Sequence, residues 1–137
     1  MHVPTILLVT VCVPGRRAVL AQADVHRAIN EIWLGCREWS VGRYTIMPDH
    51  VHVFCTPAVL PHEPVGQWVR YWKSAMTRRF PELKPLWQKD CWDTQMRSRQ
   101  HYGERLHYVA ENPVRAGLVE RAEEWPFLGK INDLIWL

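Results

Sequence analysis

Two histidines separated by a single residue, His50 and His52, lie in the stretch Met47-Pro48-Asp49-His50-Val51-His52-Val53-Phe54. In a strand, side chains at i and i+2 project to the same face, so the two imidazoles point together while Val51 and Val53 point away. Two adjacent imidazoles make half of a metal site. They can equally hold a phosphate through imidazolium hydrogen bonds, and a bare His-x-His also occurs as an ordinary pair on a strand. A third histidine in the same alternation is absent, because position 54 is Phe. A second stretch runs His107-Tyr108-Val109-Ala110-Glu111-Asn112-Pro113-Val114-Arg115-Ala116-Gly117-Leu118-Val119. On a helix, Tyr108 and Asn112 share a face. Taken alone, Tyr108 reads as a packing tyrosine of an amphipathic helix.

The elements that must position these residues follow from periodicity. Thr5–Val13 is rich in β-branched residues, apolar on both faces, and stops at Pro14-Gly15, which predicts a central strand. Asp24 is placed to cap a helix whose apolar positions are Val25, Ala28, Ile29, Ile32 and Trp33, with Gly35 at its end. Val41–Met47 and Val51–Thr56 read as strands joined by Pro48-Asp49, a hairpin turn. A proline-rich connector leads to a helix over Val65–Phe80, with Val69, Trp72 and Met76 on its apolar side. Leu86–Met96 is aromatic and irregular, a short strand or ordered loop. Ser98–Glu111 has helical character, and Asn112-Pro113 interrupts it. Pro113–Val119 adds a further turn that Gly117 ends. The tail from Ala122 onward, with Trp125-Pro126-Phe127 and Trp136, is expected to cover the core. The order strand, helix, strand, strand, helix, strand, helix predicts an α+β fold. Helices would pack against one face of a mostly antiparallel sheet, in a ferredoxin-like arrangement.

Composition narrows the class. The 137 residues suit one domain, and 47% hydrophobic with 23% charged residues is globular rather than disordered. No apolar run is long enough for a membrane span, and no signal peptide is read, so a cytoplasmic protein without membrane partners is expected. Four scattered cysteines, without a Cys-x-x-Cys pair, predict reduced thiols rather than a disulfide framework or zinc finger. The net charge of +3 is uneven. Arg70–Arg105 carries nine Lys/Arg against four Asp/Glu, a balance of +5, which leaves −2 for the rest. A basic middle points mildly to nucleic acid.

The two motifs together are more specific than either alone. The chain resembles the Y1 (IS200-like) transposase family of HUH single-strand endonucleases, and within it the REP-associated tyrosine transposases. MPDHVHVF is similar to that family's histidine strand, and YVAENPVRAGLV to its tyrosine helix. Trp87-Gln88, Trp92 and Trp125-Pro126-Phe127 are similar to the spacer and tail of the REP-associated group. The likeness runs from about Thr5 to Gly129. It implies an HUH endonuclease/transposase fold and an enzyme that cleaves and rejoins single-stranded or hairpin DNA. Tyr108 would attack a backbone phosphate, leaving a 5′-phosphotyrosyl link and a free 3′-hydroxyl. Tyrosine's ordinary pKa is about 10, so it needs a nearby cation or base. The resemblance implies Mg²⁺ or Mn²⁺ held by His50, His52 and a third ligand. That ligand is Asn112, with Glu111 as the alternative. Imidazole favours Mn²⁺ over Mg²⁺ on softness grounds.

Phosphate contacts are expected from Arg70, Lys73, Arg78 and Arg79 on the second long helix, and from Arg97, Arg99 and Arg105. Arg115 would contact phosphate or cap a helix carboxyl end. An exposed tryptophan such as Trp68 or Trp92 would stack on an unpaired base. A homodimer that exchanges tyrosine helices and a monomer both fit the sequence. Two other functions stand beside the enzyme: a catalytically silent nucleic-acid-binding regulator of the same fold, and a metal-dependent hydrolase of small phosphate esters.

Overall fold

The computed structural model describes residues 5–136. Its elements run β1 (Leu7–Cys12), α1 (Ala23–Gly35), β2 (Trp39–Ile46), β3 (His50–Pro57), α2 (Val65–Arg79), β4 (Trp92–Gln95), α3 (Arg99–Ala110), α4 (Asn112–Arg115) and β5 (Leu128–Lys130). The sheet has the order β4-β1-β3-β2-β5, and every neighbouring pair is antiparallel. Its first four strands, with α1 and α2 as crossovers, form the expected ferredoxin-like α+β arrangement. β5 was not foreseen in the tail; it adds an edge beside β2.

Strand alternation divides the side chains into two layers. Leu7, Val9 and Val11 of β1 and Val51, Val53 and Cys55 of β3 face α1 and α2 and form the main core with Val25, Ile29, Trp33, Trp68, Trp72 and Met76. The opposite face carries Ile6 and Phe54, which pack with Tyr102 and Val109 of α3 and with Met96. The helices therefore do not share one face, as the element pattern suggested. α1 and α2 cover one side and α3 the other. The reason is chemical: β3 is apolar at both its odd and even positions towards its C-terminal end, so each face needs a cover.

One further expectation changes. Asp24 lies inside the first turn of α1, where it pairs with Arg27, and Gln22 occupies the N-cap without a side-chain capping bond, its amide donating back to Val19 O instead. Ser98, by contrast, caps α3 by accepting from the His101 backbone N–H at 3.0 Å. All four cysteines are free, as the spacing predicted.

Tryptophan supplies much of the core volume. Trp72 meets Trp33, Trp68 and Trp87 edge-on at centroid distances of 5.8, 6.0 and 5.5 Å. Its indole N–H is buried without a hydrogen-bond partner among the described residues. Trp72→Ala is expected to cost about 3–5 kcal/mol in chemical denaturation, from lost burial and the cavity left behind. Trp72→Phe should cost clearly less, because no hydrogen bond is lost with the indole. Equal losses in the two variants would show that the N–H has a partner after all.

Candidate active site

The Pro48-Asp49 turn closes the β2–β3 hairpin, with the Met47 N–H donating to His50 O at 2.8 Å. β3 starts at His50, and its alternation sends His50 and His52 to the α3 face while Val51 and Val53 enter the core beneath α1 and α2. In register, Cys12 and Thr10 of β1 stand opposite His50 and His52, and Thr45 of β2 stands opposite His52 on the other side. The buried Thr45 hydroxyl donates to Val109 O at 3.2 Å, which ties the last turn of α3 to the histidine strand.

Three atoms converge there. His50 Nε2 lies 3.2 Å from His52 Nε2 and 3.1 Å from Asn112 Oδ1. Each ring is held from behind. His50 Nδ1 donates to Asp49 Oδ1 at 2.7 Å, and Asp49 Oδ2 accepts from Arg16 Nε at 2.7 Å. His52 Nδ1 is 2.8 Å from Thr10 Oγ1. Burial alone would raise the Asp49 pKa, but the hydrogen bonds from Arg16 and His50 outweigh it and hold the carboxyl below its ordinary value. An ionised Asp49 can only accept, so the proton of neutral His50 sits on Nδ1 and its Nε2 lone pair faces inward. The matching tautomer of His52, donating through Nδ1 to Thr10, aims a second lone pair at the same point. With both rings in these tautomers, three electron-rich atoms, the two Nε2 and the Asn112 amide oxygen, gather around His50 within hydrogen-bond distance. Such a donor set suits a cation, and outer hydrogen bonds of this kind are what orient metal-binding imidazoles.

His52 is pushed down to about 4, first by burial and next by the neighbouring His50, with Arg115 and Arg16 adding to the effect and Asn112 opposing it. The ring is therefore neutral, as a metal ligand must be, at neutral pH. The same shift sets a stability window. An unfolded histidine takes up a proton near pH 6.5, whereas folded His52 resists until about 4, so the unfolded chain gains protons first. Thermal stability in the presence of a chelator should be full above about pH 6.5 and fall between there and about 4, by on the order of 3 kcal/mol. His52→Gln should flatten that fall. An unchanged profile in the variant would assign the acid sensitivity to another group.

Tyr108 stands apart from this cluster. α3 turns Tyr102, Leu106 and Val109 to the sheet and leaves Tyr108 on its outer side, 44% exposed. Tyr108 lines a cavity of about 580 Å³ with Gln100, Glu104, Arg105, His107 and Arg115. His50 and Asn112 line a separate one of about 380 Å³, with Arg16, Met47, Pro48 and Leu118. The Arg115 guanidinium carbon sits 3.7 Å from the Tyr108 ring centroid, that of Arg105 4.6 Å, and Arg115 Nη2 donates to Tyr108 O at 2.6 Å. Arg115 thus caps the carboxyl end of α3. The helical face predicted to join Tyr108 and Asn112 is interrupted. α3 ends at Ala110, Glu111 turns the chain at φ −87°, ψ 0°, and Asn112 opens α4. The interruption delivers Asn112, not Glu111, to the histidines.

The predicted basic residues fall into three groups. Arg105 and Arg115 sit at Tyr108. Arg97 and Arg99 flank the start of α3, where Arg99 Nη2 donates to Trp136 O at 3.3 Å. Arg70, Lys73, Arg78 and Arg79 belong to α2, across the sheet from the histidines, and Arg79 pairs with Glu31. Trp68 is 1% exposed and is core, so it cannot stack on a base, whereas Trp92 on edge strand β4 is 59% exposed. Arg16, Asp49 and Thr10 were not singled out as site residues. Asp49 stands in the histidine motif itself, but Thr10 and Arg16 come to the site through strand register and a turn. Among the described residues no cluster of three His, Cys, Asp or Glu side chains could hold a metal, because the third donor here is an amide. Among them, too, no helix is long and apolar enough to cross a membrane.

No family model matches the chain. It is 28% identical over 91 residues to the REP-associated tyrosine transposase of Escherichia coli K12, a match that covers 66% of this chain and 54% of that protein. It is 28% identical over 104 residues to a presumed REP-associated tyrosine transposase of Haemophilus influenzae, covering 65% and 57%. The chain spans a little over half the length of these curated relatives. A REP-associated tyrosine transposase solved with a bound REP hairpin superposes with a TM-score of 0.77 at 25% identity, covering 93% of this chain and 77% of that one. A presumed transposase of Deinococcus radiodurans shares the fold at a TM-score of 0.57 and 21% identity, covering 79% and 91%.

Proposed function

From a chain that resembles the REP-associated tyrosine transposases in sequence and shares their fold, we propose a metal-dependent endonuclease and strand transferase acting on single-stranded, hairpin-bearing DNA. The observation that carries this reading is the convergence of His50 Nε2, His52 Nε2 and Asn112 Oδ1 beside an open cavity, with an exposed tyrosine one element away.

His50, His52 and Asn112 would hold Mg²⁺ or Mn²⁺. When bound, the ion supplies charge neutralisation at a phosphoryl oxygen. The remaining work belongs to side chains. Arg16, anchored on Asp49, lines the cavity beside His50 and offers positive charge to a phosphate lodged there. The Tyr108 phenol attacks phosphorus, the bond to the 3′ oxygen breaks, and a 5′-phosphotyrosyl link replaces it. The phenol gives up its proton and the departing 3′ oxygen takes one. Arg105 and Arg115, within 4.6 Å of the phenol ring, favour negative charge as it develops there. Attack by a 3′-hydroxyl on the phosphotyrosine reverses the step and rejoins a strand without an external energy source. Arg97 and Arg99 extend the cationic surface along α3.

The test is direct. A labelled hairpin-bearing strand incubated with the protein and Mn²⁺ should give a covalent protein–DNA adduct on a denaturing gel. Binding without an adduct under any divalent ion would overturn the enzymatic reading in favour of a silent regulator. Cleavage without an adduct at any time would assign the nucleophile to water.

A further inference from the structure

A cavity on the other side of the sheet from the histidines is not used by the reaction above. It measures about 730 Å³ and lies between the C-terminal half of α2 and the segment 84–89. Its lining carries four cations, Lys73, Arg78, Lys84 and Lys89, together with the Ser74 and Thr77 hydroxyls and Trp87, and no carboxylate. None of the four cations forms a salt bridge among the described residues. Lys73 is the most enclosed: burial lowers its pKa, and its ammonium donates to Gln88 O at 2.7 Å and to Lys89 O at 3.3 Å. Asp90, just outside the lining, partly offsets that effect. Four unpaired cations around one concave space repel one another, and a polyanion entering it relieves that repulsion.

The cavity is tied to the active-site end of the sheet. The Gln88 N–H donates to Cys12 O at 2.8 Å, and Cys12 is the register partner of His50. Arg16 grips Asp49 at the histidine site, while the next residue, Arg17, donates through Nη2 to Leu83 O at 2.9 Å and to Pro85 O at the base of the basic segment. Two consecutive arginines thus connect the two sites around one end of β1.

We infer that this cleft binds the sugar-phosphate backbone of a single strand that continues from the DNA held at the histidines. The strand would leave that site, pass over the Arg16-Arg17 turn, and lay its phosphates among Arg78, Lys84 and Lys89. The identity of the polymer rests on the proposed function; the existence of a phosphate-binding cleft does not. The cleft is an open concavity bounded by one helix and one short chain segment, which suits a single backbone rather than a duplex.

The experiment uses fluorescence anisotropy with the whole chain and three probes: a labelled oligothymidine strand, a hairpin with a single-stranded extension, and the same hairpin without it. The variant is Arg78→Glu/Lys84→Glu/Lys89→Glu. All three side chains lie outside the core and outside the proposed catalytic set. Affinity for oligothymidine and for the extended hairpin should fall by at least about tenfold. The slope of log affinity against log salt should become shallower by about two, as expected for roughly three lost single-strand phosphate contacts. Affinity for the bare hairpin and the Mn²⁺ response at the histidines should stay unchanged. Unchanged oligothymidine affinity and salt slope would overturn the proposal. It would also be overturned if inorganic phosphate or a mononucleotide bound as tightly as the strand, since the ligand would then be a small anion. Failure of the functional reading is separate: it appears as a missing covalent adduct in a protein whose cleft still binds oligothymidine.

Discussion

Tyr108→Phe is expected to abolish the covalent protein–DNA adduct and to lower strand cleavage by more than about a thousandfold, the scale seen when a nucleophile is removed from a site that otherwise stays intact. The substitution removes one oxygen. It keeps the ring on which Arg105 and Arg115 rest, and Tyr108 is exposed, so the fold and the local cationic surface should persist. Hairpin affinity should therefore match the parent protein. Adduct on the denaturing gel in the variant would place the nucleophile elsewhere. Loss of hairpin affinity along with the adduct would make the phenol a binding group instead.

His52→Ala should produce the second large effect. It removes one of three converging donors and the one that burial keeps neutral at neutral pH. Mn²⁺ affinity measured by calorimetry should fall by at least about a hundredfold, and cleavage should fall with it. Asp49→Asn is the graded companion. It leaves all three donors in place but weakens the acceptor that fixes the His50 tautomer, so a loss of about 10–100-fold is expected, the range typical of outer hydrogen bonds to metal ligands. Mn²⁺ affinity in His52→Ala equal to that of the parent protein would show that the ion binds somewhere else. Circular dichroism of both variants separates loss of the site from loss of the fold.

The pairing of His50 and His52 is a local property, because strand alternation fixes it within three residues, and it was legible in the sequence. The hairpin was legible for the same reason, through Pro48-Asp49. The buried stripes of α1 and α2 were also visible, as Val25, Ala28, Ile29 and Trp33 and as Val69, Trp72 and Met76 recur at helical spacing. What escaped depends on partners distant in the chain. Thr10 reaches His52 only through the β1–β3 register, across 42 residues. Arg16 reaches Asp49 across 33 residues, from a turn in which Gly15 and Arg16 both take positive φ, of 66° and 54°. β5 has only three residues, Leu128–Lys130, and forms because β2 offers an unpaired edge. The side on which α3 lies was hidden too, since its apolar positions do not say which sheet face they meet. The basic α2 residues were visible as charges, but their separation from the histidines by the thickness of a sheet was not.

The break between α3 and α4 has a mechanical consequence. Glu111 separates two helical pieces: one bears Tyr108, the other the Asn112 amide that completes the donor trio. The two pieces are fastened separately, α3 through the Thr45 hydroxyl and its sheet-facing Tyr102 and Val109, and α4 through Asn112 against His50, with Arg115 reaching back across the joint to Tyr108 O. Tyr108 and Asn112 thus take their positions from different anchors, so a substitution that loosens one of them leaves the other in place.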